Sequence, residues 1–329
     1  METSSKDVLF TIAMDLDLPS LLRWCSSNSR INRDVCNNDN VWRSKLLQDY
    51  PDYQIFKLNK SLRESYVFLY QLSYIKKLLN TNENLYNIFQ RKELDLSYKG
   101  FKKIPAFDLP NLQKIALDHN QLTEISKFRL PMLRVLDLSS NQLIKVPSFD
   151  LPNLEELYLN FNQLTEVPPF HLPNLKRLVL FNNQLTELPA LNLPNLIVLY
   201  SSQNRLIKVP EFDLPNLLYL HLMGNSLKTV PEFRLPKLVD LSLYNNQLTE
   251  VPAFDLPNLE NLDLSKNQLK EVPIFYLPKL RELSLENNQL TELPAFHFPN
   301  LQKMYLSGNR FTEENKIKIK NKYQDKVRF

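Results

Sequence analysis

Glycine and cysteine are both scarce in this chain of 329 residues, and each scarcity excludes a class of protein. The three glycines, Gly100, Gly224 and Gly308, stand far apart, so no glycine-rich loop that could cradle a phosphate group is present. The two cysteines, Cys25 and Cys36, are too few for the disulfide framework of a small secreted protein. We expect them to be buried or half-buried thiols in a reducing compartment.

Long apolar runs are lacking as well. The first ten residues mix charged and polar side chains, and no segment approaches the roughly 18 apolar residues that a membrane-spanning helix needs. The net charge of +4 is located in the tail from Arg310 to Phe329, where seven basic and three acidic residues give the same excess. Because no such apolar run exists we expect no membrane partner, and because the remainder is neutral we expect no nucleic acid. The expected location is intracellular, in the cytoplasm or nucleus of the host cell if the protein is viral.

What the chain does contain is a repeat. Ten asparagines follow one another at intervals of 21 residues: Asn120, Asn141, Asn162, Asn183, Asn204, Asn225, Asn246, Asn267, Asn288 and Asn309. Each ends the pattern L-x-x-L-x-L-x-x-N-x-L, as in the segment from Leu154 to Leu164. This pattern resembles the leucine-rich repeat and covers about residues 91–311, with one worn copy, in which Lys99 replaces the asparagine, before ten clear ones.

The residue types within one repeat predict an α+β solenoid. Alternation at Leu157 and Leu159 predicts a short strand with its leucines inward and Tyr158 outward, and stacked copies give a parallel concave sheet. The buried asparagine should bond backbone groups of neighbouring turns. Prolines at two phases, from Pro105 to Pro294 and from Pro110 to Pro299, predict a thin convex side that is poor in helix. A phenylalanine spine should stack through the core: Phe107, Phe128, Phe149, Phe170, Phe212, Phe233, Phe254, Phe275 and Phe296, with Leu191 filling one gap.

The outward positions of the strands carry the candidate site. In the middle repeats they form an aromatic and apolar group: Tyr158, Val179, Phe181, Val198, Tyr200, Tyr219, His221, Met223 and Tyr244. Asp240, Asp263, Glu282 and Glu286 follow beyond it. Because exposed apolar clusters mark interfaces, we predict that a protein partner binds this concave face. The alternative is that these side chains only stabilise the sheet by packing across neighbouring strands.

Residues 1–90 have helical instead of repeat spacing, with a tyrosine-rich helix expected from about Ser61 to Leu79. The segment from Leu16 to Leu22, followed by Trp42, resembles the F-box, and in particular the F-box-like domains that precede repeats in proteins of giant DNA viruses. The resemblance implies docking to a Skp-type adaptor of a cullin ubiquitin ligase, with the repeats selecting the substrate. The docking residues would be Val8, Leu9, Ile12, Leu18, Leu21, Leu22 and Trp42. The alternative is a helical cap beside a binding scaffold with no ubiquitin link.

Residues 312–329 are expected to form a basic C-terminal cap. Thr312 followed by two glutamates predicts a helix start, and four apolar residues should cover the last turn: Ile317, Ile319, Val327 and Phe329.

No catalytic residue, metal site or cofactor is expected. The four histidines stand far from the cysteines and form no pair of nucleophile and base. Some bacterial effectors with similar repeats carry a ligase domain with a catalytic cysteine behind them. Here about twenty residues without cysteine follow the last repeat, so we predict a binding protein and not an enzyme.

Overall fold

The computed structural model describes residues 3–27, 29–104 and 108–329. Pro105 and Phe107, the first members of the predicted proline and phenylalanine series, lie outside the described residues. The chain divides into two compact units, one comprising Met1–Arg91 with Phe107–Asn111 and the other Lys92–Ala106 with Leu112–Phe329.

The first unit is helical. Its elements are α1 (Thr3–Asp15), α2 (Leu18–Ser27), α3 (Ser29–Ile31), a π-helical turn (Asn32–Cys36), α4 (Asp39–Asp49), a 3-10 turn (Tyr53–Phe56), α5 (Leu62–Leu79) and α6 (Leu85–Phe89). The predicted tyrosine-rich helix is confirmed as α5, which begins at a capping box between Ser61 and Glu64. Among the described residues, no helix combines the length and the apolar character required to cross a bilayer.

Trp42 and Lys45 of α4 form the centre of the helical core. Trp42 is 1% exposed, and its indole nitrogen donates to the carbonyl of Cys36 at 2.8 Å. Lys45 is 2% exposed, and its ammonium donates to the carbonyl of Met14 at 3.0 Å and lies 3.6 Å from a carboxylate oxygen of Asp49. Both polar atoms therefore have the partners that burial demands.

The expectation of two free thiols is wrong. Cys25 of α2 and Cys36 of the π-helical turn form a disulfide, with their Cα atoms 6.0 Å apart. This separation lies in the range that a disulfide can bridge. Both residues are buried, as expected, at 5% and 1% exposure. The sequence separation of 11 gave no sign that a helix and a turn would bring the two sulfurs together.

The second unit is a solenoid whose strands pair in parallel and in chain order. The strands are β1 (Glu93–Asp95), β2 (Lys114–Ala116), β3 (Val135–Asp137), β4 (Glu156–Tyr158), β5 (Arg177–Val179), β6 (Val198–Tyr200), β7 (Tyr219–His221), β8 (Asp240–Ser242), β9 (Asn261–Asp263), β10 (Glu282–Ser284), β11 (Lys303–Tyr305) and β12 (Val327–Arg328). From β1 to β11 each residue pairs with the one 21 positions further on, as Leu157 does with Leu178. The predicted parallel sheet is confirmed.

Buried asparagines link successive turns, as the sequence predicts. The carboxamide oxygen of Asn162 accepts from the amide of Leu143 at 3.0 Å. Its nitrogen donates to the carbonyls of Leu138 at 3.0 Å and Leu159 at 3.1 Å. The same arrangement recurs along the solenoid, so that the asparagines satisfy backbone groups that the strands leave unpaired.

The phenylalanine spine is also confirmed. Phe149 and Phe170 stack with ring centroids 6.2 Å apart, and after the gap at Leu191 the stacking continues from Phe212 to Phe296 at separations of 5.5 to 6.2 Å. Between β1 and Phe311 the described residues contain no helix, so the predicted thin convex side is confirmed.

Ser201 stands where the repeat has a core leucine. It is fully buried, and its hydroxyl oxygen has no hydrogen-bond partner among the described residues. A buried hydroxyl without a partner destabilises the fold, so Ser201 is a weak point in the middle of the solenoid.

The residue before each buried asparagine has a positive φ and so adopts the left-handed backbone conformation. The sequence pattern did not predict this. Residues of many types occupy this position, including Phe161 (φ 55°) and Lys266 (φ 51°), and glycine stands there only at Gly224 and Gly308 among the described residues. At Gly224 (φ 66°) an added Cβ would lie 2.5 Å from the side-chain nitrogen of Gln203, so a larger residue has no room there unless Gln203 moves.

The C-terminal residues close the solenoid. Helix α7 (Glu313–Tyr323) is capped by Thr312, whose hydroxyl accepts from the amide of Asn315, which confirms the predicted helix start. Ile319 and Val327 are buried and β12 extends the sheet, but Ile317 is 58% exposed, so its predicted part in the cap is wrong. Ile317 points away from the last turn because it lies two residues before the buried Ile319 on a helix.

Candidate functional site

Each repeat places three side chains on the concave side of the sheet, and the fixed register aligns them in three rows across the strands. The first row holds the first residue of each strand, from Lys114 to Lys303. The second row holds the last residue of each strand, from Ala116 to Tyr305. The third row lies two residues beyond the second, from Asp118 to Ser307. Since the core leucines alternate with these positions, the three rows are free to vary in chemistry.

Seven of the nine residues predicted for partner binding are accessible on this face, and we call them the aromatic patch: Tyr158, Phe181, Tyr200, Tyr219, His221, Met223 and Tyr244. Tyr219 is the most exposed, at 36%, and the other six are half-buried. The patch extends over strands β4 to β8 and the residues that follow them.

The other two residues are not accessible. Val179 and Val198 are each 4% exposed, so the prediction that they contribute to an exposed surface is wrong. Val179 lies between Tyr158 and Tyr200 in the second row, and Val198 lies beside Tyr219 in the first. Their short side chains are covered by these larger neighbours, which a pattern of inward and outward positions does not reveal.

A continuous line of contacts crosses four strands, β6 to β9, beginning in the middle of the patch. The rings of Tyr200 and His221 stack with centroids 4.5 Å apart and planes inclined by 12°. The other side of the imidazole meets Asp240, with Nε2 3.0 Å from a carboxylate oxygen, and Asn261 donates to the second oxygen at 3.3 Å. These contacts hold the rings in fixed orientations before any partner arrives.

Two other tyrosines of the patch have polar partners. The hydroxyl of Tyr158 donates to a carboxylate oxygen of Glu156 at 2.5 Å. Burial and this hydrogen bond raise the pKa of Tyr158 to about 12. The ammonium of Lys266 lies 5.2 Å from the ring centroid of Tyr244, and a hydrogen bond to the Tyr244 hydroxyl raises the pKa of Lys266 above its usual value.

Phe161 extends the patch, although sequence analysis did not assign it. It is 46% exposed, and its ring meets that of Phe181 edge to face with centroids 4.9 Å apart. Phe161 occupies the left-handed position before a buried asparagine. A large apolar residue at that strained and exposed position was the signal that could have identified it.

Beside the aromatic patch lies a depression of about 730 Å³, which we call the acidic hollow. It spans strands β7 to β11 and shares His221, Met223 and Tyr244 with the patch. Four carboxylates line it, those of Asp240, Asp263, Glu282 and Glu286. No set of three or more His, Cys, Asp or Glu residues in the described part of the chain is arranged to hold a metal ion.

In the helical unit, burial divides the residues that the F-box resemblance assigned to adaptor docking. Leu18, Leu21 and Trp42 are 5%, 0% and 1% exposed, so they pack inside the unit and are not available to a partner. Their assignment as docking residues is wrong, because their apolar spacing served the helical core. Val8 and Ile12 of α1 are 56% and 41% exposed. Leu9 and Leu22 are half-buried.

Comparison with known proteins agrees with the fold. A family model described as leucine-rich repeats (two copies) matches residues 131–170, 236–277 and 257–296. Residues 131–170 and 236–296 therefore match leucine-rich repeats, and the described repeats form a parallel-sheet solenoid. Among curated proteins, no sequence matches it.

Several solved structures resemble the chain. One is a chain of the octameric complex of Latrophilin 3, Unc5D and FLRT2, in which FLRT2 is the leucine-rich-repeat component, at 24% identity over 72% of this chain and 89% of that one, with a TM-score of 0.59. Another is YopM from Yersinia enterocolitica, at 26% identity over 80% of this chain, with a TM-score of 0.49. The match spans 64% of that YopM chain, less than two thirds of its length. YopM from Yersinia pestis, described as a leucine-rich effector, is 25% identical over 82% of this chain and 89% of that one, with a TM-score of 0.45.

Proposed function

We propose that the concave face of the solenoid binds a protein partner, and that the aromatic patch is its principal contact. The observation that carries this proposal is the concentration of seven large, accessible side chains on neighbouring strands of a sheet whose other outward positions carry mostly small, polar or charged residues. Tyrosine, phenylalanine and methionine are enriched at protein interfaces, where they supply most of the binding energy. Leucine-rich-repeat solenoids serve as scaffolds for protein interaction.

The rigidity of the patch supports the same proposal. Ordering a flexible side chain on binding costs about 0.5–1.5 kcal/mol. Tyr200 is already held by His221, and Tyr158 is held by Glu156, so much of this cost is met when the chain folds. A preorganised aromatic surface is what a tight protein contact needs.

The competing explanation is that the aromatic side chains exist to stabilise the sheet. Cross-strand pairs such as Tyr200 with His221 contribute to stability in any sheet. The two explanations differ in what a polar substitution changes. If the patch binds a partner, affinity falls while stability is nearly retained; if it only supports the sheet, stability falls and affinity does not.

The experiment uses the full chain to isolate a binding protein from extracts of the source cells, followed by affinity measurement with both purified proteins. Phe181→Asp and Tyr219→Asp should each weaken binding at least about tenfold, since central aromatic contacts contribute 1–2 kcal/mol or more. Ile207→Asp is the matched control, because Ile207 is 61% exposed and lies outside the three rows. Thermal melting of each variant separates lost contacts from lost folding. Equal affinity of all variants for the partner would refute the proposal.

A second candidate function rests on the exposed pair Val8 and Ile12 on α1. Residues four positions apart lie on one face of a helix, and an exposed aliphatic pair there suits a helical partner. If the helical unit docks to a Skp-type adaptor in the cytoplasm or nucleus, the solenoid would act as the substrate receptor of a ubiquitin ligase. Co-precipitation with a Skp-family adaptor tests this, with Val8→Asp and Ile12→Asp expected to abolish it. Lack of adaptor binding by the intact protein would leave the scaffold function.

A further inference from the structure

The lining of the acidic hollow combines small residues with large ones. In the second row the floor is formed by Ser242 and Ser284, on either side of Asp263. Met223, Tyr244 and Tyr305 stand at its margins. Serines beside large aromatic side chains leave space there, and a depression of about 730 Å³ has room for one long side chain from outside.

The charge of the hollow is of one sign. Asp240, Asp263, Glu282 and Glu286 contribute carboxylates, and no lysine or arginine is among the lining residues. Within the described chain, the one lysine or arginine that forms an ion pair with any of the four is Lys303, 3.3 Å from Glu282. The other three carboxylates have no lysine or arginine partner, although the imidazole of His221 contacts Asp240. Their negative charge is therefore available to a cation from outside.

These three carboxylates are held in place by neutral or weakly basic donors. Asp240 accepts one hydrogen bond from Asn261 and contacts His221. Asp263 accepts from the amide and hydroxyl of Ser265, and Glu286 accepts from the hydroxyl of Ser307. A carboxylate has about four acceptor positions, so each keeps the capacity for a further donor.

Ser242 supplies an independent sign that the hollow is built for a ligand. It is 6% exposed and lies on an outward position of β8, in the lining of the hollow. Its hydroxyl oxygen has no hydrogen-bond partner among the described residues. An unpaired polar group in a buried place costs free energy, and rotation of the Ser242 hydroxyl toward a polar group of a bound ligand would remove that cost.

We propose that the acidic hollow receives an arginine side chain presented by the protein partner. This inference rests on the proposed function and assigns a specificity to the part of the concave face beside the aromatic patch. A guanidinium offers five N–H donors in one plane, which can serve two carboxylates and a hydroxyl at once. It is also less strongly hydrated than an ammonium group, so it suits a half-buried site.

The probe for the test is a short fluorescein-labelled peptide with two arginines separated by one glycine, measured by fluorescence anisotropy with the full chain. Matching peptides carry lysine, citrulline or glutamate in place of arginine. Citrulline keeps the shape of the side chain but has no charge. We expect the arginine peptide to bind most tightly and to lose affinity as salt concentration rises.

The variants are chosen so that folding is preserved. Asp263→Asn removes one charge from the floor of the hollow, and Asp137→Asn is its matched control. Asp137 occupies the same row on β3 and accepts from the amide and hydroxyl of Ser139, as Asp263 does from those of Ser265. Asp263→Asn should weaken binding of the arginine peptide about tenfold, and Asp137→Asn should leave it unchanged.

Equal binding of the citrulline peptide, or equal effects of the two aspartate variants, would overturn the proposal. Equal binding of the lysine peptide would overturn the assignment to a guanidinium. Failure here is distinct from failure of the proposed function. If Phe181→Asp weakens partner binding and Asp263→Asn does not, the aromatic patch remains the contact and the hollow does not receive an arginine.

Discussion

Replacing one of the buried asparagines that link successive turns is expected to lower the free energy of unfolding by more than the loss of a single leucine contact would. In Asn162→Ala the truncated side chain can neither accept from the amide of Leu143 nor donate to the carbonyls of Leu138 and Leu159. Asn162 is 8% exposed, so water has little access to the groups that are left unpaired.

The magnitude follows from counting these groups. A buried donor that loses its partner costs about 1–3 kcal/mol, and each lost hydrogen bond to a carbonyl costs about 1 kcal/mol. The expected loss for Asn162→Ala is therefore about 3–5 kcal/mol. Asn309, in the last repeat, makes the corresponding three bonds, but it is only part-buried. Since water can replace some of these bonds, Asn309→Ala should cost roughly half as much.

Two measurements check this prediction. Urea unfolding followed by circular dichroism gives the loss of stability, with Asn160→Ala, a half-buried asparagine two residues away, as the control. Hydrogen exchange gives the local effect, because the amide of Leu143 should exchange much faster in Asn162→Ala. A loss of unfolding free energy below about 1 kcal/mol, together with an unchanged exchange rate of the Leu143 amide, would contradict this prediction. It would show that the buried asparagines do not satisfy the backbone groups of neighbouring turns.

Three further outcomes are expected. Ser201→Ala should raise stability by about 1 kcal/mol, because it removes a buried hydroxyl without a partner; a lower urea midpoint would contradict this. Gly224→Ala should lower stability by about 1–2 kcal/mol, since a Cβ at φ 66° meets Gln203, and an unchanged midpoint would count against this strain. The folded pKa of Tyr158 is raised to about 12, so the stability that it contributes is present below about pH 10 and lost as the pH rises to about 12. In an ultraviolet titration, Tyr158→Phe should remove an ionisation near pH 12, and its persistence would show that the assignment is wrong.

Most of the solenoid could be predicted from the sequence, because packing constrains the inward positions in the same way in every turn. Leu157 and Phe170 each face an identical neighbour 21 residues away, and Asn162 bonds backbone groups of adjacent turns as its counterparts do, so the period gives both their place and their partners. The helix starts at Ser61 and Thr312 were predictable for a similar reason, because the first turn of a helix needs a side-chain acceptor at one position.

The candidate site was only partly predictable, because accessibility depends on neighbours that are not adjacent in the chain. The pattern placed Tyr200 and Val179 in the same row, but the size of the flanking tyrosines buries the valine. In the helical unit the apolar spacing of Leu21 resembled a docking motif and was in fact core packing. Spacing alone does not distinguish an apolar residue that faces a partner from one that faces its own fold.

The three rows explain how one sheet can carry two different contact surfaces side by side. In a solenoid each turn touches only its neighbours, so a change of chemistry can begin within one or two strands without disturbing the rest. Here the change occurs at β7 and β8, where His221 stacks on Tyr200 of the aromatic patch and contacts Asp240 of the acidic hollow. A partner that covers both surfaces must offer an apolar segment and a cation within a few strand spacings, each about 4.8 Å. That spacing restricts partners more than either surface does alone, because neither an apolar segment nor a basic one by itself satisfies both halves of the face.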